Sequence, residues 1–256
     1  MRWTDEEKRQ LRILFLQAKL PIAEITRRLN RTPAAINTAL TTFGIPRRRS
    51  LPKLRMPRRL TPAVARIHAH VCGDGHLFAY RERDHYGYLS AYRHGYYRTR
   101  YGFGYTNTNP DLIRSFMADV RTALGLTPRY HAHRTQVIVR SKGAWELLTV
   151  LGAGRSRTWV IHESIQRASG AVQRAWLLAF FDDEAHFDPH GRIRVRSVNR
   201  TGLEQAASML RRFVPCHITP RHGLYPDESC YLVVPARARK IFLRLIGSSN
   251  FLAWSQ

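Results

Sequence analysis

Two acidic residues lie at the ends of apolar stretches, far apart in the chain. Asp74 follows the stretch 65–73, and Glu184 lies in the apolar run Val172–Phe187, 110 residues later (184 − 74). Both stretches are predicted to be buried helices, so each helix would carry a carboxylate at its inner end. Two such carboxylates side by side repel each other unless a cation lies between them. Asp and Glu oxygens are ligands that Mg²⁺ prefers, so the pair predicts metal-assisted hydrolysis.

Small residues recur along the same two stretches at a spacing of four. They are Ala65, Ala69 and Gly73 in the first stretch and Ala175 and Ala179 in the second. Positions i, i+4 and i+8 share one face of a helix, so each helix has a smooth stripe on which another backbone can pack closely. Two such stripes in contact would bring Asp74 and Glu184 together.

This pair of stretches resembles the motif of the LAGLIDADG homing endonucleases, with Ile67–Gly75 as the first copy and Leu177–Ala185 as the second. The eighth motif position holds the catalytic acid in that family, and it falls on Asp74 and Glu184. The resemblance covers roughly Thr61 to Gly247. The sequence departs from the usual motif at five positions, none of which removes an acid of the eighth position: His68, His70, Cys72, Asp183 and Ala185.

The resemblance implies a site-specific endonuclease that uses Mg²⁺ or another divalent cation. Each acid would serve one strand of a long, asymmetric double-stranded target, leaving short 3′ overhangs. It also implies a basic residue beside each site, for which Lys142 and Arg237 are the candidates. Asp182 and Asp183 are interpreted as supporting groups at the helix end, with Asp183 as a candidate extra metal ligand.

The predicted elements repeat once along the chain. Val137–Gly152 aligns with Leu232–Gly247 without a gap, and each motif helix is followed by strands and helices in the same order. We therefore predict an α+β fold of two pseudo-symmetric α-β-β-α-β-β-α repeats that form a DNA-binding saddle. The repeats are placed at 61–153 and 171–256, joined by a linker at 154–170. Because one chain supplies both repeats, a monomer is expected.

The first 46 residues predict a separate all-α domain of three helices. Thr4 and Glu7 form a capping box, and Thr32-Pro33 opens the third helix. The pattern resembles small helix-turn-helix domains, in which residues near the start of the last helix, here Asn37 and Thr38, would contact bases. A protein-docking bundle is the alternative. A basic linker is predicted at 47–60, with Arg47 and Arg48 following phosphates.

The charge balance favours a polyanionic partner. The formal net charge is +24, and 37 of the 42 basic residues are arginine, the side chain best suited to phosphate and guanine. A compositional bias towards arginine is the competing explanation, but it does not account for the scarcity of acids. A membrane partner is not expected, because no long apolar run is present. The three cysteines form no CxxC pair, which is typical of a reducing, cytoplasmic environment.

Basic residues alternate with apolar ones along several predicted strands. A period of two places the basic side chains on one face of a sheet, which is then a candidate reader of the major groove. A solvated outer face is the alternative. The tyrosine-rich segment Asp84–Tyr97 is a further candidate for base contact, or a hairpin whose tyrosines pack on each other. The predicted strand contacts with DNA are Arg98, Arg100, Arg129, His131, His133, Arg192, Arg194, Arg196, His217 and Arg221.

Other functions share this pattern of residues. A transcription regulator that does not cleave DNA would use the same scaffold with a helix-turn-helix domain, although both acids are retained here. An intron RNA maturase would bind intron RNA instead of duplex DNA. The two acids could also serve only to cap neighbouring backbone.

Overall fold

The computed structural model describes residues 3–18, 20–45, 54–83, 97–220 and 229–247. The chain divides into two compact units, Met1–Leu51 and Pro52–Gln256, each described here by itself. Several predicted contacts lie outside the described residues: Arg47, Arg48, Arg221, positions 84–96 of the tyrosine-rich segment, and the side chain of Arg98.

The first unit consists of three short helices around a small apolar core. Thr4 caps the first helix in a reciprocal capping box with Glu7, and Thr32 caps the third. Asn30 ends the second helix in the left-handed conformation, with φ of 48°. The three-helix pattern predicted for this region is therefore present. The helices are α1 (Asp5–Arg12, continued by a turn of π-helix, Ile13–Gln17), α2 (Ile22–Leu29) and α3 (Pro33–Thr42), packed through Leu11, Ile25, Ile36 and Leu40.

The second unit contains two copies of one arrangement, which confirms the predicted α+β fold with an internal repeat. Each copy has a four-stranded antiparallel sheet, in the order β1-β2-β4-β3 in repeat 1 and β5-β6-β8-β7 in repeat 2. Repeat 1 comprises α4 (Pro62–Cys72), β1 (Gly75–Arg83), β2 (Tyr97–Thr106), α5 (Pro110–Leu124), β3 (Arg129–His131), β4 (Gln136–Arg140) and α6 (Lys142–Val150). The short helix α7 (Glu163–Gln166) precedes repeat 2, which comprises α8 (Gly170–Glu184), β5 (Ala185–Phe187), β6 (Ile193–Ser197), α9 (Arg200–Leu210), β7 (His217–Pro220), β8 (Cys230–Val234) and α10 (Arg239–Leu245).

The centre of the second unit is the contact between α4 and α8. The small residues predicted to line it are buried, with Ala65 and Ala69 at 0% exposure and Ala179 at 1%. At the inner ends of the helices the space is so tight that a Cβ added to Gly73 would lie 3.0 Å from the Cβ of Asp183. The two motif helices therefore pack backbone to backbone, as the stripes of small residues predicted.

Each sheet has one face covered by helices and one open face. On β2 and β4, Phe103, Tyr105, Val137 and Val139 are buried against the helices. The residues between them along the strands point to the open face, because side chains alternate across a strand. The same register holds in repeat 2, where Val195 pairs with Leu232 on the covered face and Arg194 with Val233 on the open face.

The structure corrects the prediction for the strand that begins at Arg129. Only Arg129–His131 is extended, and Ala132–Arg134 forms a 3₁₀ turn, so His133 does not share a strand face with His131. Tyr130, expected to be buried, is 45% exposed because β3 is the edge of the sheet and ends after three residues.

The linker is shorter than the predicted range 47–60. Residues from Leu54 onward pack on the second unit, where the amide of Arg55 donates to the carbonyl of Leu124 at 2.9 Å and Leu54 lies against Gly143. Both repeats end alike, with Gly152 and Gly247 in the left-handed region at φ of 99° and 80°. Every helix in the described part of the chain is too short or too polar to cross a lipid bilayer.

Gly75 lies where α4 passes closest to the sheet. A Cβ on Gly75 would lie 2.6 Å from the Cα of Val71 and 2.8 Å from the carbonyl oxygen of Gly104, both backbone atoms that cannot move independently. We predict that Gly75→Ala lowers the free energy of unfolding by about 1–3 kcal/mol through overpacking. Thermal and urea denaturation measure this change.

The matched control is Ala185→Gly, at the equivalent position after α8, where an alanine already fits. That change removes a methyl group without a collision and should cost no more than about 1 kcal/mol. Equal losses for the two variants would contradict the close approach at Gly75.

Candidate active site

Asp74 lies just beyond α4, where the chain turns into β1. Its backbone carbonyl accepts a hydrogen bond from the amide of Thr106 at 3.2 Å. The side-chain amide of Asn107 donates to Oδ2 of Asp74 at 2.9 Å. Asp74 is thus held at two points by the end of β2, in a partly buried position that leaves some of its surface in contact with solvent.

Glu184 is the last residue of α8 and approaches the same place from the other repeat. Burial, together with the charges of Asp74 and Asp183, raises the pKa of Glu184 to about 7. Burial and the charge of Asp183 likewise raise the pKa of Asp74 to about 6, although the hydrogen bond from Asn107 opposes this. The folding of the helices therefore concentrates negative charge where their inner ends meet.

Asp183 lies beneath this pair, with a fully buried side chain. The hydroxyl of Tyr105 donates to its Oδ1 at 2.7 Å, and Nδ1 of His70 lies 2.9 Å from its Oδ2. Burial and the charge of Asp183 raise the pKa of the Tyr105 phenol, which keeps this donor protonated. The two carboxylate oxygens are thus engaged by α4 and β2, and Asp183 fastens α8 to repeat 1.

The other histidine of the first motif copy belongs to the core. His68 is completely buried, and its Nδ1 accepts a hydrogen bond from Nε1 of Trp176 at 2.9 Å. Burial lowers the pKa of His68 to about 3, so the ring is neutral. His68 and His70 therefore both join α4 to α8, the first through an indole and the second through a carboxylate.

Beside Asp74 the surface opens into a cleft of about 430 Å³ whose lining is rich in oxygen atoms. Carboxylate, amide and hydroxyl oxygens are donors suited to hard divalent cations. The lining residues are Asp74, Thr106, Asn107, Thr108, Asn109, Thr135, Asp182 and Asp183.

This donor set fits a divalent cation whose remaining ligands are water and phosphate oxygens. No cluster of three or more His, Cys, Asp or Glu side chains among the described residues is arranged to hold a metal by itself. Asp74 and Glu184 supply two hard oxygen ligands, and burial together with the negative charge of neighbouring carboxylates raises the pKa of both. A cation with phosphate and water among its ligands would compensate that charge, because Mg²⁺ usually keeps several waters and binds through one or two carboxylates plus phosphate.

The two basic residues predicted beside the acids lie elsewhere. Lys142 contacts Glu146 at 3.4 Å and the ring of Tyr101 at 5.7 Å. Tyr101 is five residues from Thr106 along β2, which is about 17 Å of extended strand. Arg237 is in the equivalent place after β8, beyond the pair of Ile193 with Val234. Lys142 and Arg237 occupy equivalent positions in the two repeats. Each follows the end of β4 or β8 that is distant from the carboxylates.

The predicted DNA contacts of repeat 2 lie largely together on the open face of its sheet. Arg194, Arg196 and His217 share this face by register. Arg194 stacks on the ring of Tyr231 at 3.8 Å, and Arg196 bonds to Ser229 at 3.3 Å.

The remaining predicted contacts are more scattered. Arg192 precedes β6 and is paired at 2.5 Å with Asp188. In repeat 1, Arg129 is exposed, whereas Arg100 is paired with Glu82 at 2.6 Å. In the first unit, Thr38 is exposed, and the side-chain amide of Asn37 donates to the carbonyl of Pro33 at 2.8 Å.

Sequence reasoning missed Asn107 and Tyr105, which orient Asp74 and Asp183. The run Asn107-Thr108-Asn109 at the end of a strand was a usable signal for the first residue. Asn109 caps α5, and Asn199 caps α9 in the equivalent place, two residues after Ser197. Tyr105 gave no signal, because a tyrosine in a buried strand is usually part of the core.

Comparison with solved structures identifies the fold. No protein-family model matches the chain, and a comparison with curated proteins finds no match either. Solved structures do match. The homing endonuclease I-DmoI in complex with DNA and manganese is similar over 75% of this chain and 99% of its own, with a TM-score of 0.56 and 17% identity.

Two further structures of the same endonuclease agree. I-DmoI with DNA and calcium matches 74% of this chain and 91% of its own, with a TM-score of 0.53 and 16% identity. A variant bound to its target DNA in the presence of magnesium matches 73% of this chain and 98% of its own, with a TM-score of 0.50 and 16% identity. The second unit therefore has the LAGLIDADG homing endonuclease fold.

The crowding of carboxylates predicts how stability depends on pH without a divalent cation. The folded-state pKa of Glu184, about 7, exceeds its ordinary value of 4.5, so its contribution to stability is present at low pH and lost as pH rises through about 7. Glu184→Gln, which stays neutral, should melt close to the wild type at pH 5. At pH 8 it should melt about 2–4 °C or more above it, a shift that about 1 kcal/mol gives a chain of this size.

The control is Glu163→Gln, which removes an exposed acid paired with Arg167 at 3.2 Å and should show no such pH dependence. Adding Mg²⁺ at pH 8 should raise the melting temperature of the wild type more than that of Glu184→Gln. A Glu184→Gln protein that melts below the wild type at pH 8 in metal-free buffer would contradict the proposed repulsion.

Proposed function

We propose that this protein is a site-specific, metal-dependent double-strand DNA endonuclease of the homing type. It hydrolyses one phosphodiester bond in each strand of a long, asymmetric target. The observation that carries this proposal is the placement of Asp74 and Glu184 at the ends of two packed helices. Each repeat supplies one acid, and the pKa values of both acids are raised by their surroundings.

The roles of the residues follow from their contacts. Asp74 and Glu184 bind the cation, and Asn107 orients the carboxylate of Asp74. Asp183, held by Tyr105 and His70, fixes α8 against repeat 1 and acts as a positioning residue. A divalent cation held by the two acids would supply Lewis-acid stabilisation of the charge that develops on the scissile phosphate.

Duplex DNA is the proposed partner of the open sheet faces. Arg194 and Arg196 share the open face of β6, and the chain carries a net charge of +24. The first unit is proposed to bind DNA as a helix-turn-helix module, with Thr38 exposed in the middle of α3. The internal repeat supplies both halves of the site, which favours a monomer.

A non-cleaving DNA-binding regulator is the second candidate. The observation that favours it is the separate three-helix unit, whose sequence pattern resembles small helix-turn-helix domains. Such a regulator would bind a specific duplex and leave it intact in Mg²⁺ or Mn²⁺. Intron RNA binding is tested in the same way with an RNA library in place of the duplex library.

The test begins with selection of bound sites from a randomised duplex library by the full chain in EDTA. The selected duplex, placed in a supercoiled plasmid, is then incubated with the protein and Mg²⁺. We predict a double-strand break at one position for the wild type. Asp74→Asn and Glu184→Gln should each slow cleavage by about 100-fold or more, because each removes a direct ligand.

Glu163→Gln is the matched control and should cleave like the wild type. Gel shifts in EDTA should show that all three variants still bind the selected duplex. Selected binding without cleavage in any divalent cation would favour the regulator. Unchanged cleavage by folded Glu184→Gln would show that the site is elsewhere.

A separate prediction concerns the first unit. A chain that begins at Pro52 lacks the three helices but keeps both carboxylates. It should bind the selected duplex about 10-fold or more weakly, because several phosphate contacts are lost, and its footprint should be shorter. Cleavage should persist at protein concentrations that saturate the DNA. A folded truncation that binds normally but no longer cleaves would contradict this division of roles.

A further inference from the structure

The open faces of the two sheets carry different chemistry at equivalent positions. In repeat 1, the strand after the motif helix presents His76, Phe78 and Tyr80, here called the aromatic row. In repeat 2, His186 occupies the position equivalent to His76 and pairs with Arg194, whereas His76 pairs with Gly104. Two residues further along, Phe78 pairs with Gly102. Gly104 of repeat 1 thus occupies the position at which repeat 2 has Arg194.

The glycines allow the rings of the aromatic row to lie against the neighbouring strand. A Cβ on Gly104 would lie 2.4 Å from Cε1 of His76, and one on Gly102 would lie 2.5 Å from Cζ of Phe78. Successive ring centroids are 6.0 Å apart for His76 and Phe78 and 5.7 Å apart for Phe78 and Tyr80. The rings form a continuous surface that reaches across β2.

This surface is apolar and accessible in a strongly basic protein. Tyr80 is 42% exposed, His76 and Phe78 are half-buried, and Ile138 extends the patch from β4. The Cδ1 atom of Ile138 lies 3.1 Å from the Cβ position of Gly104, next to His76. A surface of this kind suits an apolar partner more than a phosphate.

Repeat 2 presents the opposite chemistry. Arg194 is fixed between the ring of Tyr231, at 3.8 Å, and the carboxylate of Asp188, whose Oδ2 lies 3.8 Å from Nη1. A guanidinium held in this way is suited to the O6 and N7 acceptors of guanine. The open face of repeat 1 is therefore largely apolar along its first strand, whereas the open face of repeat 2 presents a fixed guanidinium.

The apolar group on the major-groove edge of a base pair is the 5-methyl group of thymine. We propose that the aromatic row and Ile138 contact thymine methyl groups, so that repeat 1 recognises a half-site rich in A·T pairs. This inference rests on the proposed binding of duplex DNA. It does not require that the protein cleaves the duplex.

The experiment uses the full chain and duplexes selected from a random library in EDTA. Thymines of each half-site are then replaced one at a time by deoxyuridine, which lacks the methyl group but pairs identically. In one half, replacing a contacted thymine by deoxyuridine should weaken binding about fourfold, the value expected for loss of one buried carbon. Replacement in the other half should leave the dissociation constant unchanged.

The variants Phe78→Gln and Tyr80→Gln assign the sensitive half to repeat 1. Each variant should lose the difference between thymine and deoxyuridine while retaining salt-sensitive binding. Tyr130→Gln is the matched control, because Tyr130 is an exposed tyrosine of the same sheet on the side of the helices. This control should keep the full difference.

The outcomes separate the inference from the proposed function. Methyl-sensitive binding by a protein that never cleaves would support the inference and contradict the endonuclease. Specific binding without methyl sensitivity in either half would overturn the inference and leave the endonuclease untouched. Failure to bind any duplex, or preferential capture of single-stranded RNA, would overturn both.

Discussion

The structure of the second unit depends on the close contact between α4 and α8. Only small side chains allow two helix backbones to approach in this way, and a Cβ on Gly73 would lie only 3.0 Å from the Cβ of Asp183. This contact joins the two repeats and places the end of each motif helix beside the other. The position of the carboxylates is therefore a consequence of helix packing, since Asp74 lies just beyond the end of α4 and Glu184 is the last residue of α8.

The same packing explains the electrostatics. Three carboxylates meet at the inner ends of the helices, and burial makes their charges harder to sustain, which raises the pKa values of Asp74 and Glu184. The fold engages one of the three internally, because Asp183 accepts hydrogen bonds from Tyr105 and His70. The other two retain oxygens that face the surface. A divalent cation with a phosphate among its ligands would compensate these charges, so the same charge that opposes folding would favour binding of a cation.

Local signals in the sequence predicted much of this arrangement. The stripes of small residues predicted the helix contact, the capping residues Thr4 and Thr32 predicted where helices begin, and the internal alignment predicted two equivalent sheets. The placement of Lys142 was not predictable in the same way. Its distance from Asp74 depends on which end of β4 pairs with which end of β2, and sequence alignment of the repeats carries no such information. The roles of Tyr105 and His70 also depend on contacts between distant elements.

Anomalous X-ray scattering from manganese, recorded on crystals of the protein with its selected duplex, tests the central claim most directly. The account predicts density for Mn²⁺ in direct contact with the carboxylate oxygens of Asp74 and Glu184 and with a phosphate of each strand. The same crystals of Asp74→Asn and Glu184→Gln should lose or weaken that density. Well-ordered DNA in the complex with no manganese at these two carboxylates, or with manganese bound elsewhere, would contradict the account.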